Sequence, residues 1–233
     1  MHDAHFHLDT TGQLPHFGLT RGMINAHNEE SYLRACKYRS KTLLVSFGLH
    51  PWYQYESVQN YMQFFQACDV IGEIGMDCVW TQRSLEEQRT LFIKQLQIAQ
   101  QLFKPVILHT KGCEAEIADY ISHYPNTYLI HWYSSMNDIE KFINLDCYFS
   151  IGPSVVHDKA VQQCAIKVPL DRILIESDGL EAIHWAYGDE IDYQQAMQNS
   201  INKISQLKNI STHQLEKQLT INYQNFIQKT AIR

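Results

Sequence analysis

Short apolar runs recur along the chain, separated by stretches in which apolar residues return every three or four positions. The runs predict strands at 5–8, 22–26, 43–48, 70–74, 106–108, 128–131, 148–151 and 173–176. Each is nearly continuous in apolar side chains, the pattern of a strand covered on both faces in a parallel sheet. The intervening periodicity is helical. The clearest helix starts at Ser84, with Glu87 in capping-box spacing, and carries Phe92, Leu96, Ala99 and Phe103 before Lys104-Pro105 ends it. A second cap, Ser211-Thr212-His213-Gln214, precedes Leu215, Leu219, Tyr223 and Phe226. Alternation of strand and helix in a chain a little under ~250 residues predicts an α/β, TIM-type (β/α)8 barrel with its active site at the C-terminal ends of the strands. An open doubly wound sheet would supply a glycine-rich phosphate turn after its first strand, and Asp9-Thr10-Thr11-Gly12 is not one.

With 233 residues, 45% hydrophobic and 19% charged, the chain has the length for one full core, and a single domain over 1–233 is expected. No window approaches the ~18 apolar residues of a membrane span, and no basic-then-apolar leader opens the chain. Six scattered cysteines without a C-x-x-C pair read as reduced thiols, so a cytoplasmic location is expected, with no membrane and no obligate protein partner evident. A net charge of −6 argues against a surface that coats nucleic acid, while leaving room for a small cationic mouth.

The candidate chemistry sits at the strand ends. His5 and His7, two apart in an extended segment, aim their imidazoles in one direction, with Asp3 and Asp9 on the same face. His50 follows the third predicted strand, Glu73 lies inside the fourth, His109 and His131 end the fifth and sixth, and Asp178 follows the eighth. A carboxylate such as Glu73 within an apolar strand is costly unless paired, protonated or metal-bound. Singly, each has a bland reading: a strand-end histidine is commonly a hydrogen-bonded structural residue, and Asp178 would serve as a helix cap. Together, such residues at equivalent positions point to a metal centre.

The set Asp3-x-His5-x-His7-Leu8-Asp9, Gly48-Leu49-His50-Pro51, Gly72-Glu73-Ile74-Gly75-Met76-Asp77, His109, His131 and Glu176-Ser177-Asp178 resembles the TatD-type metal-dependent hydrolases, which include TatD DNases. The segment Thr220-Ile221-Asn222-Tyr223-Gln224-Asn225-Phe226 is similar to that family's C-terminal Thr-x-Asn-Phe region. Many related amidohydrolases carry a carbamylated lysine on strand four, where this chain, like TatD proteins, has Glu73. The resemblance implies two divalent metal ions (Zn, Mn or Mg), one held by His5, His7, Glu73 and Asp178, the other by Glu73, His109 and His131. Mixed histidine and carboxylate ligands favour transition metals over Mg. Two such ions would polarise a phosphoryl group and acidify a bound water. Asp178 would orient that water or take its proton, His50 would reach the phosphate or leaving group, and Glu176 would orient ligands by hydrogen bonds.

Two departures from the pattern bear on substrate. The family's His-x-Arg is here His109-Thr110-Lys111, which keeps a positive charge for a phosphate but loses the two-pronged grip. After Asp178 the chain continues Gly179-Leu180-Glu181 in place of the usual proline. The expected activity is hydrolysis of phosphodiesters, with DNA ends as the candidate substrate. Acyl hydrolysis on the same centre, as of an aminoacyl-tRNA, and a non-catalytic binding role are the alternatives. Tyr133 and Trp185 are candidates for stacking on a base, with burial in the wall the plainer expectation.

Overall fold

Strand pairs strand in chain order, and every pairing is parallel: β1 (Asp3–Phe6), β2 (Gly22–Ala26), β3 (Leu43–Phe47), β4 (Val70–Asp77), β5 (Val106–Lys111), β6 (Tyr128–His131), β7 (Tyr148–Ile151) and β8 (Ile173–Ile175). The computed structural model describes residues 2–16, 18–19, 21–188 and 191–228. Helices α1 (Glu29–Cys36), α2 (Met62–Ala67), α3 (Leu85–Gln101), α4 (Glu114–Ser122), α5 (Ile139–Asn144), α6 (Lys159–Lys167), α7 (Leu180–Tyr187), α8 (Tyr193–Lys208) and α9 (Thr212–Gln228) fall between and after the strands. This is the expected (β/α)8 barrel.

The barrel interior is layered. One residue from each strand (Ala4, Met23, Leu44, Val70, Ile107, Leu129, Tyr148 and Leu174) forms an apolar floor packed on Tyr223 and Phe226 of α9. Two residues further along five of the strands, on the same face, the side chains become polar: Asn25, Ser46, His109, His131 and Ser150, all buried. The opposite faces carry Ile24, Phe47, Ile74, Leu108 and Phe149 into a second cluster that includes Phe92, Leu96, Phe142 and Ile204 of the surrounding helices. Each such fully buried large side chain contributes about 1.5–3 kcal/mol of transfer free energy.

Strict alternation would not place the site. On β4, Val70 faces the interior floor and Ile71 the helices, so period two would send Glu73 outward. The β4–β5 register slips between Ile71↔Val106 and Ile74↔Leu108, three residues against two. This bulge inverts the parity and turns Glu73 inward. β1 repeats the device: Asp3↔Gly22 is followed by Phe6↔Ile24, so that Ala4 lies in the floor, Phe6 in the outer layer, and His5 between them points to the centre. Glycine permits the β4 bulge. A Cβ on Gly75 would lie 2.0 Å from the His109 carbonyl oxygen, and one on Gly72 2.6 Å from Ile107 Cβ.

Several elements differ from their expected limits. β1 stops at Phe6 rather than Leu8, because Asn25 Nδ2 donates to the Phe6 carbonyl (3.3 Å) and leaves His7 beyond the ladder. β4 and β5 extend to Asp77 and Lys111, which pair with each other. Ser84 does not cap α3 through its side chain; Glu87 instead pairs with Arg83 at 3.2 Å. Phe103 is not on the buried face: α3 ends at Gln101, and Phe103, at φ 52°, is 65% exposed where the chain turns into Lys104-Pro105. The α9 cap is reciprocal, Ser211 N donating to Gln214 Oε1 (3.0 Å) and Gln214 N to Ser211 Oγ (3.2 Å).

Side chains help to join β1 to the β8 edge. Asp178 N donates to the His5 carbonyl at 3.0 Å. Asp3 Oδ1 accepts from Ser177 N (3.0 Å), and Oδ2 accepts from Ser177 Oγ (2.5 Å) and Tyr193 OH (2.8 Å). Burial pushes the Asp3 carboxyl up to about 7 despite these donors. Removing a donor from a buried acceptor of this kind costs ~1.5–3 kcal/mol. Tyr193→Phe should therefore lower unfolding free energy by about that amount, read as a lower urea midpoint at unchanged slope. An unaltered midpoint would show that Tyr193 contributes packing alone.

Candidate metal centre

Five histidines converge on one carboxylate. Glu73 Oε1 lies 3.4 Å from His5 Nε2 and 3.1 Å from His7 Nε2, while Oε2 lies 3.3 Å from His109 Nδ1, 3.5 Å from His131 Nε2 and 3.7 Å from His50 Nε2. Asp178 completes the group, with Oδ1 3.3 Å from His5 Nε2 and 3.6 Å from His7 Nε2, and Oδ2 3.8 Å from His131 Nε2. The six residues expected to hold metal are thus brought together at the C-terminal mouth of the barrel. They open into a cleft of about 600 Å³. Asp178 holds a left-handed backbone conformation (φ 60°), one of the few such non-glycine residues described, at the point where β8 gives way to α7.

Hydrogen bonds to the far sides of the rings orient the near sides. His131 Nδ1 faces Glu176 Oε2 at 2.9 Å and donates to it, leaving Nε2 as the lone pair turned to Glu73. Glu176 Oε1 also accepts from Trp132 N (2.7 Å), so the buried carboxylate is fully engaged. His109 does the same with reversed nitrogens: Nε2 donates to Asp77 Oδ2 (2.8 Å), and Nδ1 is turned to Glu73. Carboxylate–histidine pairs of this kind fix ring orientation and raise ligand basicity at metal sites. His50 is wired oppositely. Its Nδ1 accepts from Trp52 N (3.2 Å), which puts the proton of the neutral ring on Nε2, the atom nearest Glu73. His50 therefore presents a donor where the others present lone pairs.

The electrostatics follow from this crowding. Burial acts to raise the Glu73 carboxyl pKa, but the positive charge of His5 and His131 and a hydrogen bond from His109 hold it well below the usual carboxylate range. Asp178 is lowered for the same reason, burial being outweighed by His131 and His5. Conversely, burial depresses His5, His7 and His109, yet Glu73 with Asp178 or Asp77 leaves all three raised above the ordinary imidazole value. His50 is pushed down to about 4, chiefly by burial, and is neutral at pH 7.

The donor set fits a metal. Two ligand atoms 2.0–2.2 Å from a tetrahedral ion stand about 3.3–3.6 Å apart. The four histidine–carboxylate pairs among His5, His7, Glu73 and Asp178 are spaced 3.1–3.6 Å. His5 Nε2 is buried and makes no hydrogen bond, although two carboxylate oxygens lie within 3.4 Å. Compact groups of potential ligands also occur at His5/Glu73/His131 and His50/Glu73/His109.

Other expected residues divide. Asp77, the last residue of the strand-four motif, is wholly buried and accepts from His109, from Trp52 Nε1 (2.6 Å) and from the N–H groups of Val79 and Trp80 (2.7 and 2.8 Å). These donors overcome burial and keep it ionised. Its even spacing from Glu73 on one strand was the available signal. Asp3 belongs to the β1–β8 join, and Asp9 braces its own loop through Thr11 and Gln13. Lys111 sits on the face of His109, but its ammonium donates to the Trp132 carbonyl (2.7 Å) and Ser134 Oγ (2.9 Å), and it does not line the cleft. Arg34, on α1, does line it, a contribution that no spacing in the sequence signals. Tyr133 is buried with its hydroxyl donating to the Asn137 carbonyl, whereas Trp185 is 66% exposed.

Known proteins similar to this chain share a family. The model of the TatD related DNase family matches residues 2–228. YjjV of Escherichia coli K12, described as an uncharacterized metal-dependent hydrolase, is 27% identical over 176 residues, covering 69% of this chain and 68% of that protein. The human deoxyribonuclease TATDN3 is 26% identical over 174 residues, 71% of this chain and 61% of its own. The crystal structure of YjjV superposes with a TM-score of 0.81 across 97% of both chains at 21% identity. From these matches, the chain belongs to the TatD family of metal-dependent hydrolases.

Proposed function

We propose that the chain hydrolyses phosphodiester bonds, with DNA ends as substrate, on a centre that holds two divalent ions. The observation that carries this reading is the division of Glu73: one oxygen faces His5 and His7, the other faces His109 and His131. A carboxylate so placed bridges two sites. In this reading His5, His7, Glu73 and Asp178 hold the first ion, and Glu73, His109 and His131 the second. Ions there would supply charge for a phosphoryl oxygen and lower the pKa of a water. The histidine-rich set suits Zn or Mn better than Mg. The name of the human relative, a deoxyribonuclease, supports DNA as substrate class.

The side chains do the rest. Asp178, ionised and reaching both sides of the centre, orients the attacking water and accepts its proton. His50, neutral with its proton on Nε2, donates to a phosphoryl or leaving-group oxygen. Lys111, tied behind Trp132, contributes positive charge through space rather than a direct contact. The reading is tested by turnover of a single-stranded oligonucleotide against carboxylic esters with Mn or Zn supplied. Cleavage of esters but not of phosphodiesters would transfer the assignment to acyl hydrolysis.

Metal uptake should be proton-coupled. The pKa values of His5, His7 and His109 are raised by Glu73, Asp178 and Asp77 against burial, so the metal-free rings keep their protons to higher pH than a free imidazole, and an ion must displace them. Apparent affinity should rise as pH rises through those raised values, with proton release measurable by titration calorimetry in buffers of different ionisation enthalpy. Affinity independent of pH between 6 and 8 would contradict the assignment of these rings as ligands.

Two variants should separate ligand support from substrate contact. Asp77→Asn removes the charge behind His109 and should weaken the second ion about 10–100-fold, read by chelator competition. His50→Ala should retain both ions and lose about a hundredfold in kcat, the usual cost of removing one donor to a developing oxyanion. Loss of metal from His50→Ala would move His50 into the ligand set.

A further inference from the structure

An exposed aromatic pair stands beside the mouth of the barrel, outside the metal cleft. Trp80, in the loop after β4, is 60% exposed, and Trp185, on α7, is 66% exposed. Their rings meet edge to face, centroids 6.3 Å apart at 86°. Two adjoining exposed indoles form a contiguous aromatic patch, and the backbone beneath each is held. The Trp80 N–H is fixed by Asp77 Oδ1 at 2.8 Å, and Trp185 rides on a helix that begins two residues after Asp178. A line of rings joins the pair to the centre: His131 to Trp132 (6.3 Å), Trp132 to Trp185 (6.1 Å), Trp185 to Trp80. Trp132 itself is buried, its indole N–H donating to Ser154 Oγ at 2.9 Å. It backs the Trp185 ring, and its carbonyl accepts from the Lys111 ammonium.

The pair thus offers wide π faces, with a part-buried ammonium held by the Trp132 carbonyl behind Trp185. A flat, weakly polar ring carried on an anionic strand matches that chemistry. A nucleobase next to the scissile phosphate is such a ring. We propose that Trp80 and Trp185 form a base-stacking site that takes an unpaired nucleotide of the substrate strand beyond the one in the cleft. The inference rests on the phosphodiesterase reading for its substrate, but the site can be read by binding alone. Stacking does not distinguish one base from another, so the site should favour single strands without strong sequence preference.

The test uses the whole metal-loaded protein and three probes: oligo(dT), an abasic strand of equal length, and the small substrate bis(p-nitrophenyl) phosphate. Stacking of one base corresponds to about a five- to hundredfold change in Kd. Trp80→Ala and Trp185→Ala should each weaken oligo(dT) binding by that factor, measured by fluorescence anisotropy with hydrolysis blocked by the calcium form or a phosphorothioate backbone. The abasic strand should bind wild type and variants alike, and turnover of the small substrate should be unchanged. Trp80→Phe, which keeps a π face, should restore most of the affinity. Equal oligo(dT) affinity in wild type and both alanine variants overturns the proposal, as does equal binding of the abasic strand by wild type. Dissociation of a wild-type dimer on Trp185→Ala would instead make the patch a contact between copies, and overturns it too. Wild type that binds oligo(dT) through these tryptophans but cleaves no phosphodiester would sink the activity reading and leave the stacking site standing.

Discussion

An ionised carboxylate at the axis of a barrel survives only if positive charge surrounds it. Glu73 imposes that condition on everything near it. Its two oxygens lie within 3.7 Å of five imidazole nitrogens, and without a bound cation His5, His7 and His109 supply positive charge as protons. The same crowding that raises His5, His7 and His109 would make each a poor ligand if the protons were not exchangeable for a metal. Glu176 and Asp77 resolve the orientation problem, each taking the outward N–H of one ring so that the inward nitrogen presents its lone pair. His50 shows the reverse arrangement: a backbone N–H takes its lone pair, and the ring stays neutral and donating.

Most of the barrel is legible in the sequence because a strand covered on both faces leaves a short apolar run, and eight such runs alternate with helical periodicity. The inward direction of His109 and His131 follows from that reading by simple alternation from Ile107 and Leu129. Glu73 and His5 do not. Alternation counted from Val70 or Ala4 sends them the wrong way, and the bulges that correct it arise from cross-strand register, which a single strand's sequence does not encode. The glycines flanking Glu73 mark the place without giving the direction. Capping at Ser84 failed on similar grounds, since Glu87 had a nearer partner in Arg83.

Charge at the mouth is distributed differently from what the sequence suggests. Spacing places Lys111 on the ligand-bearing face, and it is there, yet a backbone carbonyl and a hydroxyl within reach claim its ammonium. A guanidinium from α1, remote in sequence, enters the cleft wall instead. The loop that receives Lys111 is the one that follows His131, so the lysine's charge steadies the wall carrying Trp132. Tyr133, on the same loop, turns into the core and donates to Asn137. Side-chain reach, not sequence spacing, decides which cation meets solvent.

The join between the first and last strands bears on how the chain ends behave. His5 and Asp178 approach to 3.3 Å across it, and they come from opposite ends of the barrel sequence. A cation gripped by both would act as a non-covalent cross-link closing a loop that spans most of the chain, with the Asp3–Ser177–Tyr193 cluster as a second fastening on the same line. Folding and loading of such a barrel are then linked: an ion would add its grip on the two ends to the hydrogen bonds and the apolar floor that close the cylinder without it.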